Sequence, residues 1–346
     1  MRVSDLRLLL DTPFDHLVES TSVLQTPEPV VLEARGHLDD ASTTRLAAIL
    51  RRLPAPTVWL GGADASPGLV HAVDLCVTSG REPVRPFVSA EVDEVSEAVR
   101  RQPLASLALV ALLRSTETLD SWNGVAMESA TYSMLLGSAS FAEWLARRGP
   151  PRPKPVARPP VRVERVDDVL RVTLDRPEAR NAIDSAVRDD LVEAFRLAVA
   201  DPRVRVEVRG SGPSFSAGGD VEEFGAVGDP ATADAVRLTR HPGLALDAVA
   251  ARTTCSVHGP CVGAGVEIAA FAGSVRADPG TTFRLPEVSM GLVPGAGGTV
   301  SIPRRIGRQR AGWLALTGAE LECEVARTWG LVDEVVSPTT AAASRS

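Results

Sequence analysis

Residues 259–278, GPCVGAGVEIAAFAGSVRAD, combine a glycine-broken turn with an apolar run that is typical of a helix. One acidic residue, Glu267, interrupts the apolar run. Burying a carboxylate costs several kcal/mol unless the group is paired or has a chemical task. Taken alone, Glu267 fits a structural role equally well, paired with an arginine and stabilised by the helix dipole near the start of its helix.

Two further glycine-rich elements lie on either side of this stretch, FSAGGD at 215–220 and LPEVSMGLVPGAGG at 285–298. The second carries Glu287, which follows a proline twenty residues after Glu267. Taken alone, a loop glutamate such as Glu287 is usually solvated, and one glycine turn indicates little. Three such turns in this order, with two glutamates attached, form a much more specific pattern.

The composition argues against several classes of protein. The chain has 346 residues and a formal net charge of −7, whereas a nucleic-acid-binding protein normally carries a basic patch. Its start, MRVSDLRLLLDTPFD, lacks a signal-peptide core, and its longest apolar run, LASLALVALL, is too short to span a bilayer. The four cysteines form no CxxC pair and no metal-binding spacing with the histidines. We therefore expect a reduced, cytoplasmic protein that binds no metal, membrane or nucleic acid.

The proline-rich stretch at 147–162, RRGPPRPKPVARPPVR, is the clearest boundary and predicts a semi-rigid linker. After it, VLRVTLDRP, NAIDSAVRDDLVEAFRLAVAD and VRVEVRGSG have the pattern of strand, helix and strand, which predicts a parallel α/β layer. PVVLEARG, DASTTRLAAILRRL and TVWLGG repeat this order before the linker. The predicted parts are an N-terminal α/β segment (1–88), a helical segment (89–148), a proline-rich linker (149–160), a core (161–337) and a disordered tail (338–346).

From about residue 161 to 336 the sequence resembles the crotonase family, also called the enoyl-CoA hydratase/isomerase superfamily. The resemblance rests on RPEARNA, FSAGGD, GAGVE, FRLPEVSMGLVPGAGG, RRIGRQRA and the LTGAEL to WGLVDEVV region. It implies an α/β fold of the crotonase type, a ββα superhelix that acts on acyl-CoA thioesters. It also implies coenzyme A as part of the substrate, no tightly bound cofactor, and a homo-oligomer that is a trimer or hexamer.

The resemblance implies roles for particular residues as well. Glu267 and Glu287 would share acid–base duty, since hydratases of the family have glutamate at both positions while isomerases often keep only the second. The backbone N–H groups of Gly219 and Ala264 would hold the thioester oxygen, although the family usually has glycine at the position of Ala264. Gly295 would orient the attacking water, or would serve only as a turn glycine with positive φ. The implied coenzyme A positions are Arg180, Ala182, Ala217, Asp220 and Val221.

Retention of both glutamates favours syn addition of water to the double bond of a 2-enoyl-CoA. Other reactions of the family stay open, namely double-bond isomerisation, dehydration or thioester hydrolysis, and so does a non-catalytic crotonase-like subunit. The last interpretation is disfavoured because an inactive copy has no physical reason to keep two costly carboxylates in a pocket.

One part of the family pattern is absent from its usual place. Family members continue after the GLVDEVV strand with helices that cover the active site, whereas here SPTTAAASRS follows. The helical segment resembles those helices, which suggests either a permuted order or an upstream half-copy that kept them. Both interpretations predict that residues 89–148 pack on the core and close the acyl pocket. The bulky residues expected to pack there are Trp122, Met127, Tyr132, Met134, Phe141 and Trp144.

Overall fold

A computed structural model of the chain describes residues 1–33, 38–61, 66–80, 84–152 and 159–336. These residues form three β-sheets with helices packed around them. The middle of the predicted linker and the whole predicted tail (338–346) lie outside the described residues. In the described ranges, no helix is both long enough and apolar enough to cross a membrane.

The N-terminal α/β segment forms a parallel sheet in the order β1-β2-β3-β4-β5. Its strands are Arg2–Val3 (β1), Val30–Leu32 (β2), Thr57–Leu60 (β3), Leu75–Thr78 (β4) and Val88–Ser89 (β5). Its helices are Arg7–Asp11 (α1), Phe14–Thr21 (α2), Asp40–Leu50 (α3) and Pro67–Ala72 (α4). Strands β2 to β4 are buried along most of their length, as in a parallel sheet that is covered on both faces. The predicted strand–helix–strand order is confirmed for β2, α3 and β3.

The helical segment consists of four helices, Val92–Arg101 (α5), Pro103–Thr116 (α6), Ser121–Leu136 (α7) and Ala139–Arg148 (α8). Helix α6 begins at Pro103. Proline is favoured at the first position of a helix, because the backbone N–H that it lacks would have no partner within the helix there. Asp120 caps α7 by accepting the Asn123 N–H at 2.8 Å. The expectation that Trp122, Met127 and Met134 are packing residues is wrong, since all three are exposed on α7.

The core contains a six-stranded sheet in the order β14-β11-β9-β8-β7-β6, in which only the β6–β7 pair is antiparallel among the described strands. A smaller sheet has the order β10-β12-β13. The strands are Val161–Val166 (β6), Val169–Leu174 (β7), Arg205–Gly210 (β8), Thr253–Val257 (β9), Pro260–Val262 (β10), Ser274–Ala277 (β11), Thr282–Arg284 (β12), Leu321–Glu322 (β13) and Glu334–Val335 (β14). The sequence predicts a parallel layer of strand, helix and strand, and β7, the helix Ser185–Ala200 (α9) and β8 confirm it.

The helices of the core surround these two sheets. They are Ser185–Ala200 (α9), Pro230–Thr239 (α10), Pro242–Asp247 (α11), Ala264–Ala269 (α12), Gly298–Ile306 (α13), Arg308–Thr317 (α14) and Cys323–Trp329 (α15), with 3₁₀ turns at Pro177–Ala179, Ala250–Arg252 and Glu287–Met290. Residues 221–225, which follow FSAGGD, form turns rather than a helix.

The helical segment packs directly on the core. Helix α7 contacts α10, α11 and α13, while α5 and α6 contact α14, which also contacts β4 of the N-terminal sheet. Buried apolar residues from all three parts of the chain belong to one continuous hydrophobic cluster. The N-terminal residues therefore complete the core of the molecule.

A buried charge network joins the N-terminal sheet to the core. Asp74, which precedes β4, accepts a hydrogen bond from Nη1 of Arg308 at 3.1 Å and one from Nε of Arg114 at 2.8 Å. The N–H and hydroxyl groups of Thr57 also donate to Asp74, at 2.9 and 2.8 Å. Because the side chains of Asp74, Arg114 and Arg308 are almost fully buried, loss of the carboxylate would leave two guanidinium groups without this partner.

We predict that Asp74→Asn lowers the free energy of unfolding by about 3–5 kcal/mol, because breaking a buried ion pair leaves an uncompensated charge. Urea denaturation followed by circular dichroism measures this loss. Asp168→Asn is the matched control, since its carboxylate pairs with Arg205 at an exposed position, and we expect it to leave the denaturation midpoint unchanged. Equal midpoints for both variants would contradict the assigned role of Asp74.

Candidate active site

The two glutamates selected from the sequence line one cavity of about 430 Å³. Gly219, Ala264 and Gly295 line the same cavity, so the structure brings together residues from all three glycine-rich elements. Helices α7 and α8 of the helical segment form part of its wall, through Tyr132, Leu136, Phe141 and Leu145. The cavity is thus built jointly by the core and by residues that precede the linker.

Glu267 lies in the first turn of the short helix α12, and backbone N–H groups from the start of α13 and the residues before it hold its carboxylate. Its side chain is buried, with 2% of the residue exposed, and Oε2 accepts the N–H of Ala296 at 2.7 Å and of Gly298 at 2.8 Å. In the described residues it has no arginine partner within ion-pair distance, so the pairing proposed for a structural carboxylate is absent. Burial raises the pKa of Glu267 well above its ordinary value, and the charges of Glu287 and Glu128 add to this effect.

Glu287 begins the 3₁₀ turn Glu287–Met290 and is also buried, with 8% of the residue exposed. Its Oε2 is buried and has no hydrogen-bond partner among the described residues. Burial raises the pKa of Glu287 to about 7, and the negative charge of Glu128 contributes to the increase. An unpaired buried carboxylate oxygen is costly, so this atom is available for a ligand in the cavity.

Two glycines allow the carboxylates to sit this close to the backbone. A Cβ on Gly298 would lie 2.6 Å from Cγ and 2.7 Å from Oε2 of Glu267. Gly263 has a φ of +48°, and a Cβ there would overlap Oε1 of Glu287. The glycines of GAGVE and VPGAGG therefore serve the close approach of the two catalytic candidates.

A third buried glutamate, Glu128 on α7, reaches the same loop from the helical segment. Its Oε1 accepts the N–H of Gly297 at 2.7 Å, and its Oε2 accepts the N–H of Thr299 at 2.8 Å and its hydroxyl at 2.6 Å. Burial raises the pKa of Glu128 to about 7, although these hydrogen bonds act in the opposite direction. The sequence does not single out this residue, because a glutamate within a mixed helical pattern normally faces solvent.

Among the described residues, the main-chain N–H groups of Gly219 and Ala264 donate to no acceptor. At Gly219, the flanking Gly218 carbonyl and Asp220 N–H bond to Ile183, so the Gly219 N–H points away from that bridge. Gly218 lies against the turn before α12, since a Cβ on it would sit 2.8 Å from the Val262 carbonyl oxygen. Ala264 has no positive φ, because Gly263 provides the left-handed conformation of this turn.

Gly295 lies beside the ring of Tyr132, and a Cβ at Gly295 would be 2.6 Å from Cε2 of that ring. The φ angle of Gly295 is not positive. The turn explanation is therefore wrong for this residue, and close packing of the Tyr132 ring requires glycine here instead.

A family model for enoyl-CoA hydratase/isomerase matches residues 164–343, which is about half of the chain. The chain belongs to the enoyl-CoA hydratase/isomerase family. In the described ranges, no group of three or more His, Cys, Asp or Glu residues is placed to hold a metal ion.

Several individual proteins are similar to this chain. An enoyl-CoA isomerase/hydratase of Mycosarcoma maydis is 34% identical over 50% of this chain and 66% of its own length. The 2,3-dehydroadipyl-CoA hydratase of Escherichia coli (strain K12) is 35% identical over 50% of this chain and 68% of its own length. A crystal structure of an enoyl-CoA hydratase from Thermoplasma volcanium GSS1 is 34% identical over 52% of this chain and 72% of that one, with a TM-score of 0.46. The chain thus matches about two thirds of the length of these curated relatives.

Of the five described residues that the resemblance implies for coenzyme A binding, Asp220 alone lines the cavity. The Asp220 carboxylate is paired with Nη2 of Arg176 at 3.3 Å, which ties it into the protein. Arg180 is exposed and has a left-handed φ of 52°, and its carbonyl accepts the Ala217 N–H at 2.9 Å. Ala182 is buried, and the Val221 carbonyl accepts a hydrogen bond from Arg148 of α8. Arg180, Ala182, Ala217 and Val221 do not line the cavity.

We predict that Glu287→Gln stabilises the protein at pH 8 relative to the wild type. The folded pKa of about 7 lies above the ordinary value of about 4.3, so the folded state binds the proton more tightly. The free energy of unfolding contributed by Glu287 therefore falls as pH rises from about 4.3 to about 7, by roughly 3.5 kcal/mol. Glutamine stays neutral and avoids this loss.

Thermal unfolding between pH 4 and pH 8 tests this sign. The variant and the wild type should have similar midpoints near pH 4, and the variant should have the higher midpoint at pH 8. Glu178→Gln is the control, because Glu178 is exposed, and its profile should follow the wild type. A constant difference across the pH range would show that titration of Glu287 is not its cause.

We predict that Glu128→Gln destabilises the protein and lowers turnover together. An amide has one acceptor oxygen, so one of the buried N–H groups of Gly297 and Thr299 loses its partner, at a cost of about 1–3 kcal/mol. Because the neighbouring N–H groups hold Glu267, displacement of this loop should also reduce kcat. Urea unfolding and steady-state kinetics measure both effects, and Glu143→Gln on the exposed side of α8 should change neither.

Proposed function

We propose that the protein is a hydratase that adds water syn across the double bond of a 2-enoyl-CoA thioester. The observation that carries this proposal is the pair of buried glutamates with raised pKa values in one cavity with two uncommitted backbone N–H groups. Coenzyme A enters as part of the substrate. Membership of the enoyl-CoA hydratase/isomerase family supports the substrate class.

The N–H groups of Gly219 and Ala264 would donate to the thioester oxygen. This oxygen gains negative charge when water adds to C3, and fixed donors stabilise that charge without reorganisation. Such donors typically contribute about 2.7–4 kcal/mol each to transition-state stabilisation. The small residues at both positions leave room for the thioester next to the backbone.

Glu267 and Glu287 would move the two protons that hydration requires. One carboxylate accepts a proton from water as the water oxygen bonds to C3, and the other carboxyl group delivers its proton to C2. Burial raises the pKa values of both groups, and the charges of neighbouring carboxylates add to the increase, so a proton is retained near neutral pH. Oε2 of Glu267 is committed to two N–H groups, so Oε1 is the atom that would face water. We assign activation of the water to Glu267 and the α-proton to Glu287.

The loop around Arg180, Ala182, Ala217, Asp220 and Val221 is proposed to support the coenzyme A moiety by family resemblance. A homo-oligomer and a cytoplasmic location stay predictions of the same kind. None of these expectations is needed for the acid–base assignment, which rests on the cavity alone.

We predict that the wild type removes the ultraviolet absorbance of a conjugated 2-enoyl-CoA, because hydration breaks the conjugation with the thioester carbonyl. Glu267→Gln and Glu287→Gln should each lower kcat by about 10²–10⁴-fold, the usual contribution of a general acid or base. Mass spectrometry should find a 3-hydroxyacyl-CoA that is 18 Da heavier than the substrate.

Glu178→Gln serves as the exposed control and should keep full activity. Formation of a product of unchanged mass with a displaced double bond would indicate isomerisation instead. Release of free coenzyme A would indicate hydrolysis, and binding without any conversion would indicate a non-catalytic subunit. Each of these results would replace the proposed reaction.

A further inference from the structure

Arg237 on α10 lines the cavity without a carboxylate partner. Its Nε donates to the hydroxyl of Ser129 at 3.1 Å, and its Nη2 donates to the Ser129 carbonyl at 3.3 Å and to the hydroxyl of Ser133. In the described part of the chain, no acceptor is recorded for Nη1, and no carboxylate oxygen lies within 4.0 Å of the guanidinium. The charge of Arg237 is therefore held by neutral groups.

The surroundings of this guanidinium exclude much of the water. The ring of Tyr132 covers one face, with its centroid 4.6 Å from Cζ of Arg237, and burial lowers the pKa of the arginine. Arg237 is connected to Asp234 only through Ser129, whose hydroxyl donates to Oδ1 of Asp234 at 2.6 Å. The positive charge is thus only partly balanced by the protein.

The other two arginines of the cavity wall behave differently. Arg240 is paired with Glu193, and Arg188 is paired with Asp189 at 2.9 Å. Partly buried arginines normally acquire such a partner. Arg237 is the exception within the described cavity wall.

His241, four residues further along, presents a second unsatisfied donor. It lines the cavity and is buried, with 5% of the residue exposed. Its Nδ1 accepts the N–H of Leu244 at 3.1 Å, so the neutral ring carries its proton on Nε2. Nε2 is buried and has no partner in the described residues. Burial and the charge of Arg237 lower the pKa of His241 to about 4, so the ring is neutral at pH 7.

We propose that Arg237 and His241 bind a carboxylate at the far end of the acyl chain, so that the substrates are CoA thioesters of dicarboxylic acids. This inference rests on the proposed function only in using the same cavity for the acyl chain. A carboxylate accepts charge-assisted hydrogen bonds from a guanidinium and can also accept the Nε2 proton of the histidine.

The electrostatics of the cavity favour this occupant over an acyl chain that ends in a methyl group. Glu267 and Glu287 line the cavity with acidic groups, and Arg237 supplies the local positive charge that a further carboxylate needs. A methyl end would leave the buried Nε2 donor of His241 unpaired and the guanidinium of Arg237 without a charged acceptor, which sites of this kind reject strongly. The preference should therefore depend on the end of the chain rather than on its length.

The test compares three trans-2-enoyl-CoA thioesters of matched chain length that end in a carboxylate, its methyl ester or a methyl group. The wild type should have a kcat/KM for the carboxylate that is about 10²-fold higher than for the other two. Arg237→Gln should bring the three values within about threefold of each other by lowering the first. Arg240→Gln is the matched control, because that arginine has its own carboxylate partner, and it should keep the wild-type preference.

The wild-type panel decides the proposal even if Arg237→Gln fails to fold. Equal kcat/KM values, or a preference for the methyl end, would overturn it, as would an Arg237→Gln effect of the same size on all three substrates. If no thioester is converted, the proposed hydration fails, and calorimetric Kd values for the saturated analogues test the inference separately. Tighter binding of the carboxylate-ended analogue would still support it, whereas equal affinities would overturn it.

Discussion

Two carboxylates from different parts of the chain share the N-terminus of helix α13. The N–H groups of four successive residues alternate between them, with Ala296 and Gly298 donating to Glu267, and Gly297 and Thr299 donating to Glu128. The first N–H groups of a helix lack internal partners and carry partial positive charge, so they stabilise anions from either side. This arrangement fixes the position of Glu267 and attaches helix α7 to the core at the same place. The catalytic candidates and the packing of the helical segment therefore depend on one set of backbone donors.

Placing several carboxylates close together in a buried site disfavours their charged forms, and the groups therefore bind protons more tightly. Glu128, Glu267 and Glu287 all have raised pKa values, chiefly because burial removes water from their charged forms. The hydrogen bonds from the α13 N-terminus reduce this cost for two of them, whereas Oε2 of Glu287 receives none. Glu287 is thus the least compensated of the three carboxyl groups, and it lines the cavity together with Glu267. Arg237 contributes the nearby positive charge, since it lowers the pKa of Glu128 through its field.

The sequence predicts the parts of this architecture that depend on local pattern. The β7–α9–β8 layer follows from periodicity, and the glycine turns with their two glutamates follow from spacing and resemblance. Glu128 could not be predicted in the same way, because its partners are backbone N–H groups 169 and 171 residues away. A backbone donor leaves no mark in the amino-acid sequence, so nothing distinguishes Glu128 from a solvated helix glutamate. Arg237 could not be predicted for a related reason, since arginines on helices are usually exposed, and only the tertiary structure shows the lack of a carboxylate partner.

Helix α7 couples the two ends of the cavity. Glu128 reaches the α13 N-terminus, while Ser129 and Ser133 hold Arg237 and the Tyr132 ring covers its guanidinium. Ser129, Tyr132 and Ser133 lie one, four and five positions after Glu128, which places all four on neighbouring faces of a single helix. A small shift of α7 would therefore move the support of Glu267 and the proposed acyl-end donors together. Because residues that share a rigid support have non-additive effects, substitutions at Glu128 and at Ser133 should interact, although neither residue is placed to touch the reacting carbons. The helical segment thus sets the relative position of the chemical and recognition ends of the cavity.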